Sequence, residues 1–502
     1  MGGHGPYDLR VSVPPELQPA WRVLILAVAA GCTTSGAAPS GHAPRGDGGS
    51  DSAHPRPNDA GAHASDAGAQ PRDSGAADSS VLKDAAPTDA SLPPDGPSLD
   101  AGPPVDAPYP AFSLGARAPQ VTNNGAPVLA SALFVPIMFA GDSLTSQIDV
   151  FVSAVGPSDY WATIGSEYGV GPATSSPVIV EEMSSPGTNV TDAEVQQFLA
   201  VSIATDPRFG ALGLPADAGV QTSNPSAVPP AEAVYVVFYP TGTTISAGAL
   251  GESCEAFGGY HSSFALGNGA KVAYAVIPRC ASFNGLTGKD FVTSATSHEL
   301  IEAATDPDPY VPAYQGTDGD HFVWTLVLGD GEVADLCASL LDANVHPTEA
   351  SLSSFLVQRS WSNQGAQAGQ DPCVPTAGEP SYFNTLPTTT QISFVDQGQS
   401  YQTLGTQVAV GQTATVTLDL ASSGPTAGPW TVDLEDYGEA FGGSEVLGLK
   451  LLGRSSGSNG QTLTLQITAV QAASPSLFGI APYFVYSKLG TVSTMWVGAV
   501  TN

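Results

Sequence analysis

The stretch that decides the fold of the central region is Lys289–Pro309, KDFVTSATSHELIEAATDPDP. Its apolar residues between positions 291 and 304 predict a helix, and Pro307 ends that helix because proline cannot continue the backbone hydrogen bonding. His298 and Glu302 are four residues apart, so both project from one helix face, with Glu299 offset toward the same side. The stretch therefore predicts one imidazole and two carboxylates grouped within a single turn.

This His-Glu-x-x-Glu spacing is similar to the His-Glu-x-x-His helix of zinc metallopeptidases, the zincin helix. In that helix the first and fifth residues bind the metal, and the second is the general base that activates water. The similarity implies that His298 and Glu302 are metal ligands and that Glu299 is the catalytic base. A carboxylate at the fifth position is an acceptable zinc ligand, and it also favours harder cations. We expect Zn²⁺, with Ca²⁺ or Mn²⁺ as alternatives.

A third ligand has to come from another part of the chain. The segment containing Glu332 and Asp335 is the first candidate, because it offers two carboxylates next to a cysteine that could anchor it. His261 and Asp306 are the other candidates. The competing interpretation is a solvated helix face, where a His and two Glu are common. The low charged fraction of the chain, 12%, and the apolar residues around the motif favour a metal or active site.

Residues 109–378 are predicted to form one α/β domain of mixed, zincin-like type. Apolar β-branched runs such as Ala132–Phe139, Ala233–Phe238 and Lys271–Ile277 predict buried strands. Helical periodicities lie between them, among them a capping box at Thr191–Glu194. Strands that alternate with helices indicate an α/β architecture.

Residues 385–502 have a different pattern. Short alternating runs, such as Ala414–Leu418 and Leu463–Ile467, are separated by Gly and Ser turns. This pattern predicts an antiparallel, all-β sandwich of immunoglobulin type. We find no catalytic constellation in it and expect it to bind or to act as a spacer.

The first 32 residues read as an export signal. Arg22 precedes a short apolar core that ends in Ala29-Ala30-Gly31-Cys32, which resembles a bacterial lipobox. The resemblance implies that Cys32 is lipidated and that the protein is an extracytoplasmic lipoprotein, on the outer membrane or cell surface. Plain signal cleavage, with Cys32 incidental, is the alternative. Residues 33–108 are rich in Asp, Ala, Pro, Ser and Gly, and such a composition predicts a disordered linker.

Four further cysteines fit an exported protein with two disulfides. The sequence permits three pairings, and we favour nearest neighbours, Cys254–Cys280 and Cys337–Cys373. A cysteine metal site is the weaker alternative, because no Cys-x-x-Cys spacing is present. The formal net charge of −32 argues against nucleic acid as a partner and against direct binding to anionic lipid, so we expect membrane contact only through the lipid anchor.

Several pieces of the chain, in the same order, resemble the EXORDIUM-like, or phosphate-induced protein, family of secreted proteins. The pieces are Ile148–Val152, Pro157–Trp161, Cys254 with Gly259-Tyr260-His261, the Cys280 region, Ala304–Pro307, and Glu332 to Cys337. Plant members lack the His-Glu pair, whereas bacterial relatives are closer to His-Glu-x-x-Glu. The resemblance implies an extracellular protein with a cell-surface or growth role, and it implies no reaction.

Two functions from different classes follow. The first is a metal-dependent hydrolase, with a peptidase preferred, in which Glu299 is the base. The second is a non-enzymatic cell-surface protein that binds a peptide or a cell-wall glycan through a degenerate zincin-like domain. A Ser-His-Asp hydrolase is a third option that lacks the Gly-x-Ser-x-Gly turn such enzymes often carry.

Overall fold

The computed structural model describes residues 109, 114–115, 117–182, 186–210, 232–378, 381–396 and 398–502. The predicted export signal at 1–32, the lipidation site Cys32 and the linker at 33–108 lie outside the described residues.

The region that precedes the sandwich contains fourteen short strands within its described residues. They are β1 (Val121–Asn123), β2 (Leu133–Phe139), β3 (Thr174–Ser175), β4 (Ile179–Glu181), β5 (Asn189–Thr191), β6 (Ala233–Phe238), β7 (Thr244–Ser246), β8 (Tyr260–Ala265), β9 (Lys271–Ile277), β10 (Tyr314–Thr317), β11 (Asn344–Val345), β12 (Val357–Gln358), β13 (Ser360–Trp361) and β14 (Cys373–Val374). The α-helices of the same part are α1 (Thr145–Val155), α2 (Asp159–Gly165), α3 (Asp192–Thr205), α4 (Pro207–Gly210), α5 (Gly288–Thr305), α6 (Phe322–Val327), α7 (Asp335–Ala338) and α8 (Asn363–Gln367).

A central sheet organises this region, with strand order β3-β2-β6-β9-β8. Strands β2, β6 and β9 run parallel, and β8 pairs antiparallel with β9 at the edge. Parallel strands need long crossovers. Helices α1 to α4 lie between β2 and β6, whereas β7 and β8 lie between β6 and β9. The prediction of a mixed α/β region is confirmed.

Helices cover both faces of this sheet. One set of alternating strand residues, including Met138 and Val236, packs in a core with Phe151 of α1 and Ile301 of α5. The opposite set packs in a second core with Val195, Leu199 and Ile203 of α3. Alternate side chains of a strand point to opposite faces, so fully apolar strands require cover on both sides.

Helix α5 carries the predicted site and is buried almost all round. Fourteen of its eighteen residues are buried, from Phe291 onward, and they include His298, Glu299 and Glu302. A helix buried on every side must find internal partners for its polar groups, because an unpaired buried charge is very costly. The alternative of a solvated helix face is therefore wrong for this helix.

Both predicted disulfides are confirmed. Cys254 is bonded to Cys280, and Cys337 to Cys373. The first joins the loop before β8 to the segment before α5. The second joins α7 to β14. Buried disulfides of this kind are typical of exported proteins.

The C-terminal part is a two-sheet β-sandwich. Its described elements are β15 (Phe383–Pro387), β16 (Thr390–Asp396), β17 (Gln399–Gln407), β18 (Thr413–Ser422), β19 (Trp430–Asp436), β20 (Leu447–Leu452), β21 (Ser456–Gly457), β22 (Thr462–Ala469), β23 (Ile480–Leu489), β24 (Val492–Thr501) and the short helix α9 (Tyr437–Ala440). The first strand begins at Phe383, slightly ahead of the predicted boundary at 385.

One sheet has the order β15-β18-β22-β20, and the other has the order β16-β17-β24-β23-β19-β21. The pairing is antiparallel except between β17 and β24, which run parallel at Thr406 and Val500. The prediction of a purely antiparallel sandwich is corrected at this pair. Thr385 connects the sheets, because its hydroxyl accepts from Trp430 Nε1 at 2.9 Å and from Ser487 Oγ at 2.7 Å.

The sandwich packs directly on the α/β part. Strands β23 and β24 are buried along nearly their whole length, instead of alternating between buried and exposed residues. Trp496 of β24 contacts Trp324 of α6, with ring centroids 5.6 Å apart. Phe394 stacks on Phe322, with centroids 4.8 Å apart. The sandwich therefore packs against α6. The prediction that it binds or acts as a spacer does not include this contact.

In the described part of the chain, no helix combines the length and the apolar character needed to cross a membrane.

Candidate metal centre

His298, Glu302 and Asp335 come together at the centre of the α/β part. His298 Nε2 lies 3.0 Å from Glu302 Oε2 and 3.4 Å from Asp335 Oδ1. Their ligand atoms all lie within 4.8 Å of one another, and all three residues are buried. Asp335 is one of the two residues predicted to supply the third ligand, and it comes from outside the helix as expected.

The ligand segment, defined here as residues 318–337, positions Asp335 opposite the helix. The backbone N–H of Asp335 donates to Glu302 Oε1 at 3.1 Å, so Glu302 fixes the start of α7 while its other oxygen faces His298. A carboxylate with one oxygen held by a backbone donor has a defined orientation. This contact couples the helix and the ligand segment directly.

Glu299 faces a second imidazole. His261 of β8 has its Nδ1 3.6 Å from Glu299 Oε2 and 3.6 Å from Glu302 Oε2. His261, Glu299 and Glu302 form a second buried group whose ligand atoms lie within 4.8 Å of one another. The sequence indicates His261 only as an alternative third ligand, because nothing in a strand sequence shows which turn of a helix its side chain will face.

Glu332 lies next to His261 and not next to His298. Its Oε1 is 3.7 Å from His261 Nε2 and accepts a hydrogen bond from Gln315 Nε2 at 3.3 Å. The structure thus separates the two predicted carboxylates, because Asp335 joins the His298 group and Glu332 lies behind His261. The Nε2 of His261 is buried and has no hydrogen-bond partner among the described residues.

Asp306, the other alternative ligand, ends the helix. Its Oδ1 accepts from the backbone N–H of Ala313 at 2.8 Å, which ties the loop after α5 back to the helix. Its Oδ2 is buried with no hydrogen-bond partner in the described structure. Asp306 belongs to neither of the two groups that could hold a metal ion.

Two glycines allow these approaches. A Cβ added at Gly259 would lie 2.6 Å from Glu299 Oε1, so a side chain there would collide with the carboxylate. A Cβ at Gly329 would lie 1.4 Å from Asp335 Oδ2, and the φ of Gly329, +54°, also favours glycine. Asp330 follows with a φ of +56°. The backbone therefore closes around both carboxylates in a way that only glycine permits.

The carboxylates determine the charge state of both imidazoles. Burial acts to lower the pKa of His261, but Glu332 and the other carboxylates around it outweigh burial and raise this pKa well above its usual value. At His298 the carboxylates, with Glu302 foremost, likewise outweigh burial and raise the pKa. The carboxylates therefore favour the protonated form of both imidazoles when no cation is bound.

The acids respond according to their neighbours. Burial is the main cause that raises the pKa of Glu299, Glu332 and Asp335, and it raises that of Asp306 to about 6. Glu302 is the exception. Burial acts on it in the same upward direction, but the two imidazoles lower its pKa to about 2. In the metal-free protein, protons on the histidines supply the positive charge that these carboxylates require.

The cluster lines a cavity of about 90 Å³. Its lining combines the carboxylates and imidazoles described above with the largely apolar residues Leu250, Ala256, Phe257, Tyr260 and Pro309. Cavities that combine an apolar wall with a few converging polar groups are typical of binding and active sites.

The donor set fits a divalent cation. Tetrahedral zinc with bonds of about 2.0 Å has neighbouring ligand atoms roughly 3.3 Å apart. The separations of 3.0 and 3.4 Å around His298 Nε2 are close to that value. One imidazole and two carboxylates suit zinc and also manganese, whereas calcium takes six to eight oxygen ligands. His298, Glu302 and Asp335 could therefore hold a zinc or manganese ion.

No protein-family model matches this chain. No curated protein matches it either. Among solved structures, a titin M10–obscurin-like 1 Ig complex is 19% identical, covers 25% of this chain and 94% of its own, and has a TM-score of 0.15. The S-layer protein SbsC, domains 4 and 5, is 14% identical and covers 29% of this chain and 81% of its own, with a TM-score of 0.15. A β-glucosidase from Listeria innocua is 8% identical and covers 77% of this chain and 48% of its own, also with a TM-score of 0.15. These TM-scores are too low to assign a fold or a function.

Proposed function

We propose that the protein is a metal-dependent hydrolase, with a peptide as the preferred substrate. The observation that carries this proposal is the convergence of His298, Glu302 and Asp335 inside a cavity. A metal site on this helix requires a third ligand from outside the helix, close to His298 and Glu302. Asp335 meets this requirement at 3.4 Å from His298.

His298, Glu302 and Asp335 would hold the ion, Zn²⁺ first and Mn²⁺ as the alternative that this donor set leaves. A bound zinc ion supplies Lewis acidity to the substrate carbonyl and lowers the pKa of a water molecule. Glu299 belongs to the same helix turn and is not part of this triad, so its carboxylate accepts the proton of the attacking water. Burial raises the pKa of Glu299 and so makes it a stronger base than an exposed glutamate.

The shape of the site favours an extended chain as the substrate. Strand β8 lies at the edge of the central sheet and places His261 in the cluster. A peptide can align beside an edge strand through backbone hydrogen bonds. The apolar wall at Leu250, Phe257 and Pro309 then suits an apolar side chain. The carboxylates around the cavity disfavour acidic substrates, because like charges repel at short range.

We also propose the finer assignments that the sequence indicates. The α/β part is a zincin-like domain related to the bacterial branch of the EXORDIUM-like family, and the sandwich is of immunoglobulin type. The protein is exported and is anchored through a lipid on Cys32, with cell-surface peptides or cell-wall glycans as its partners. Metabolic labelling with a radioactive fatty acid tests the anchor. Wild type would be labelled and Cys32→Ala would not, and a labelled Cys32→Ala would contradict it.

The decisive experiment combines metal analysis with one conservative substitution. We expect the purified protein to contain zinc and to cleave casein or a peptide library, and chelation to abolish cleavage. Glu299→Gln would keep the zinc and lose at least roughly a hundredfold in kcat, which is the usual contribution of a general base. The matched control is Glu255→Gln, at an exposed glutamate of the loop before β8.

Three outcomes separate the alternatives. Zinc in both proteins, with cleavage only by wild type and Glu255→Gln, supports the hydrolase. Zinc without cleavage, together with binding of peptide or glycan, supports the non-enzymatic surface protein. A wild-type protein that binds no metal contradicts the proposal.

A further inference from the structure

His261 has no role in the hydrolase proposed above, although it is buried beside the proposed metal ligands. It is 5% exposed, it lines the cavity, and its Nε2 has no hydrogen-bond partner in the described part of the chain. Both ring nitrogens face only carboxylate oxygens at 3.6–3.7 Å, which is longer than an ordinary hydrogen bond. Buried polar groups normally have close partners, so this spacing leaves room for a ligand between the ring and the carboxylates.

The surroundings of His261 have the donor set of a cation site. Its Nδ1 lies 3.6 Å from one oxygen of Glu299 and 3.6 Å from one oxygen of Glu302. These separations are again close to the roughly 3.3 Å that separates neighbouring ligand atoms of a tetrahedral zinc ion. Glu332, 3.7 Å from Nε2, lies where a carboxylate orients a metal-bound histidine through its other nitrogen.

The charge of the cavity also calls for more than one cation. Five acidic residues line it, Glu299, Glu302, Asp330, Glu332 and Asp335, together with two imidazoles. One divalent ion at His298 would be balanced by Glu302 and Asp335, and it would leave the single imidazole of His261 to face both Glu299 and Glu332 in a buried site. Buried carboxylates are normally paired or coordinate metals.

We propose that His261, Glu299 and Glu302 form a second divalent-cation site that shares Glu302 with the His298 triad. This inference rests on the proposed function in one respect, since it assigns Glu299 two exclusive roles. With one ion in the protein, Glu299 accepts the proton of the attacking water. With a second ion bound, Glu299 is a ligand and is withheld from that role. The second ion therefore inhibits the hydrolase.

The test is a zinc titration of the metal-free full-length protein, followed by calorimetry or by competition with a chromogenic chelator. We expect two ions per chain in wild type and one in His261→Asn, with the tighter ion retained. Glu332→Gln keeps all three second-site ligands and changes only the group behind His261. This substitution should lower the affinity for the second ion by roughly 10- to 100-fold, which is the usual effect of removing a group that orients a metal ligand.

A complementary variant keeps the test informative if His261→Asn does not fold. Asp335→Asn removes a ligand of the first site only, so it should also bind one ion, and Glu302→Gln should weaken both. Cleavage of casein by wild type should rise with the first equivalent of zinc and fall with the second, and the fall should be absent in His261→Asn.

The outcomes distinguish this inference from the proposed function. A single ion in wild type at saturating zinc, or two ions in His261→Asn, would overturn the second site and leave the hydrolase intact. Two ions without any fall in cleavage would overturn the inhibitory role. Two ions in a protein that never cleaves peptide would uphold the second site while the hydrolase fails.

Discussion

Helix α5 and the ligand segment supply the two halves of the candidate site, and they are built in opposite ways. The helix is regular over eighteen residues and packs against the central sheet through apolar side chains such as Ile301. The ligand segment contains only short helices, a run of left-handed residues at 329–331 and the half-cystine Cys337. Both contribute side chains to the same core, but the segment has little regular structure of its own and depends more on its surroundings.

The sandwich is one of those surroundings. Phe322 and Trp324, at the start of the ligand segment, pack on Phe394 and Trp496 of the sandwich. Asp320 accepts a hydrogen bond from Gln391 at 2.7 Å. The helix half of the site is held within the α/β part, whereas the ligand segment also depends on contacts with the C-terminal sandwich. Perturbing the sandwich should therefore affect one half selectively.

The largest expected effect comes from removing Trp496. Trp496→Ala should destabilise the protein by about 3–5 kcal/mol, because it leaves a large cavity beside Trp324. Trp430→Ala is the matched control, since Trp430 is equally large and packs on Phe383 inside the sandwich. Urea unfolding should show similar losses of stability in both variants.

Only Trp496→Ala should weaken zinc binding, roughly tenfold or more, because only this tryptophan packs on the ligand segment that holds Asp335. Hydrogen exchange should likewise quicken in residues 318–337 in this variant alone. If the two variants bind zinc equally well, the sandwich does not position the ligand segment.

The same contrast explains what the sequence could predict. Helical periodicity predicts that His298 and Glu302, four residues apart, share one face, with Glu299 next to them. Asp335 was identified because it lies two residues before Cys337, a cysteine that could anchor it. The sequence does not predict the position of His261 beside Glu299. Alternation along a strand shows which face of the sheet a side chain occupies, but it does not show which helix packs on that face. The contact between β24 and α6 had no sequence signal either, since Trp496 reads as an ordinary core residue of a sandwich.

The next largest effect is expected from a substitution of Gly329, which lies within the ligand segment. In Gly329→Ala the new Cβ would collide with Asp335, and the φ of +54° would add about 1–2 kcal/mol of left-handed strain. We expect a loss of stability above that strain and a loss of zinc affinity of roughly tenfold or more. Gly288→Ala is the control, because Gly288 has the same φ of +54° and no heavy atom within 4 Å of the added Cβ. Zinc binding by Gly329→Ala equal to that of Gly288→Ala would exclude Asp335 as a ligand.

The smallest expected effect needs no substitution and tests both halves together. His261 and His298 have a raised pKa, so the stability they contribute is present below pH 6.5 and is lost as the pH rises through the higher folded values. Glu299, Glu332 and Asp335 also have a raised pKa, so the folded protein holds protons that the unfolded chain has released. The stability that these acids contribute to the folded protein is likewise lost as the pH rises above about 4.5. Glu302, with its pKa lowered to about 2, contributes stability that disappears only below pH 4.5.

These five groups thus act in one direction between pH 5 and pH 8, and Asp306, with its pKa raised to about 6, acts in the same direction. The protein in EDTA should melt at a lower temperature at pH 8 than at pH 5.5, and saturating zinc should reverse this order. A cation replaces the protons on the histidines and binds more tightly as the ligands deprotonate. The effect should be smaller than that of either substitution, because no atom is removed and no backbone is strained. An EDTA-treated protein that is more stable at pH 8 would show that the cluster is neutralised by something other than its own protons.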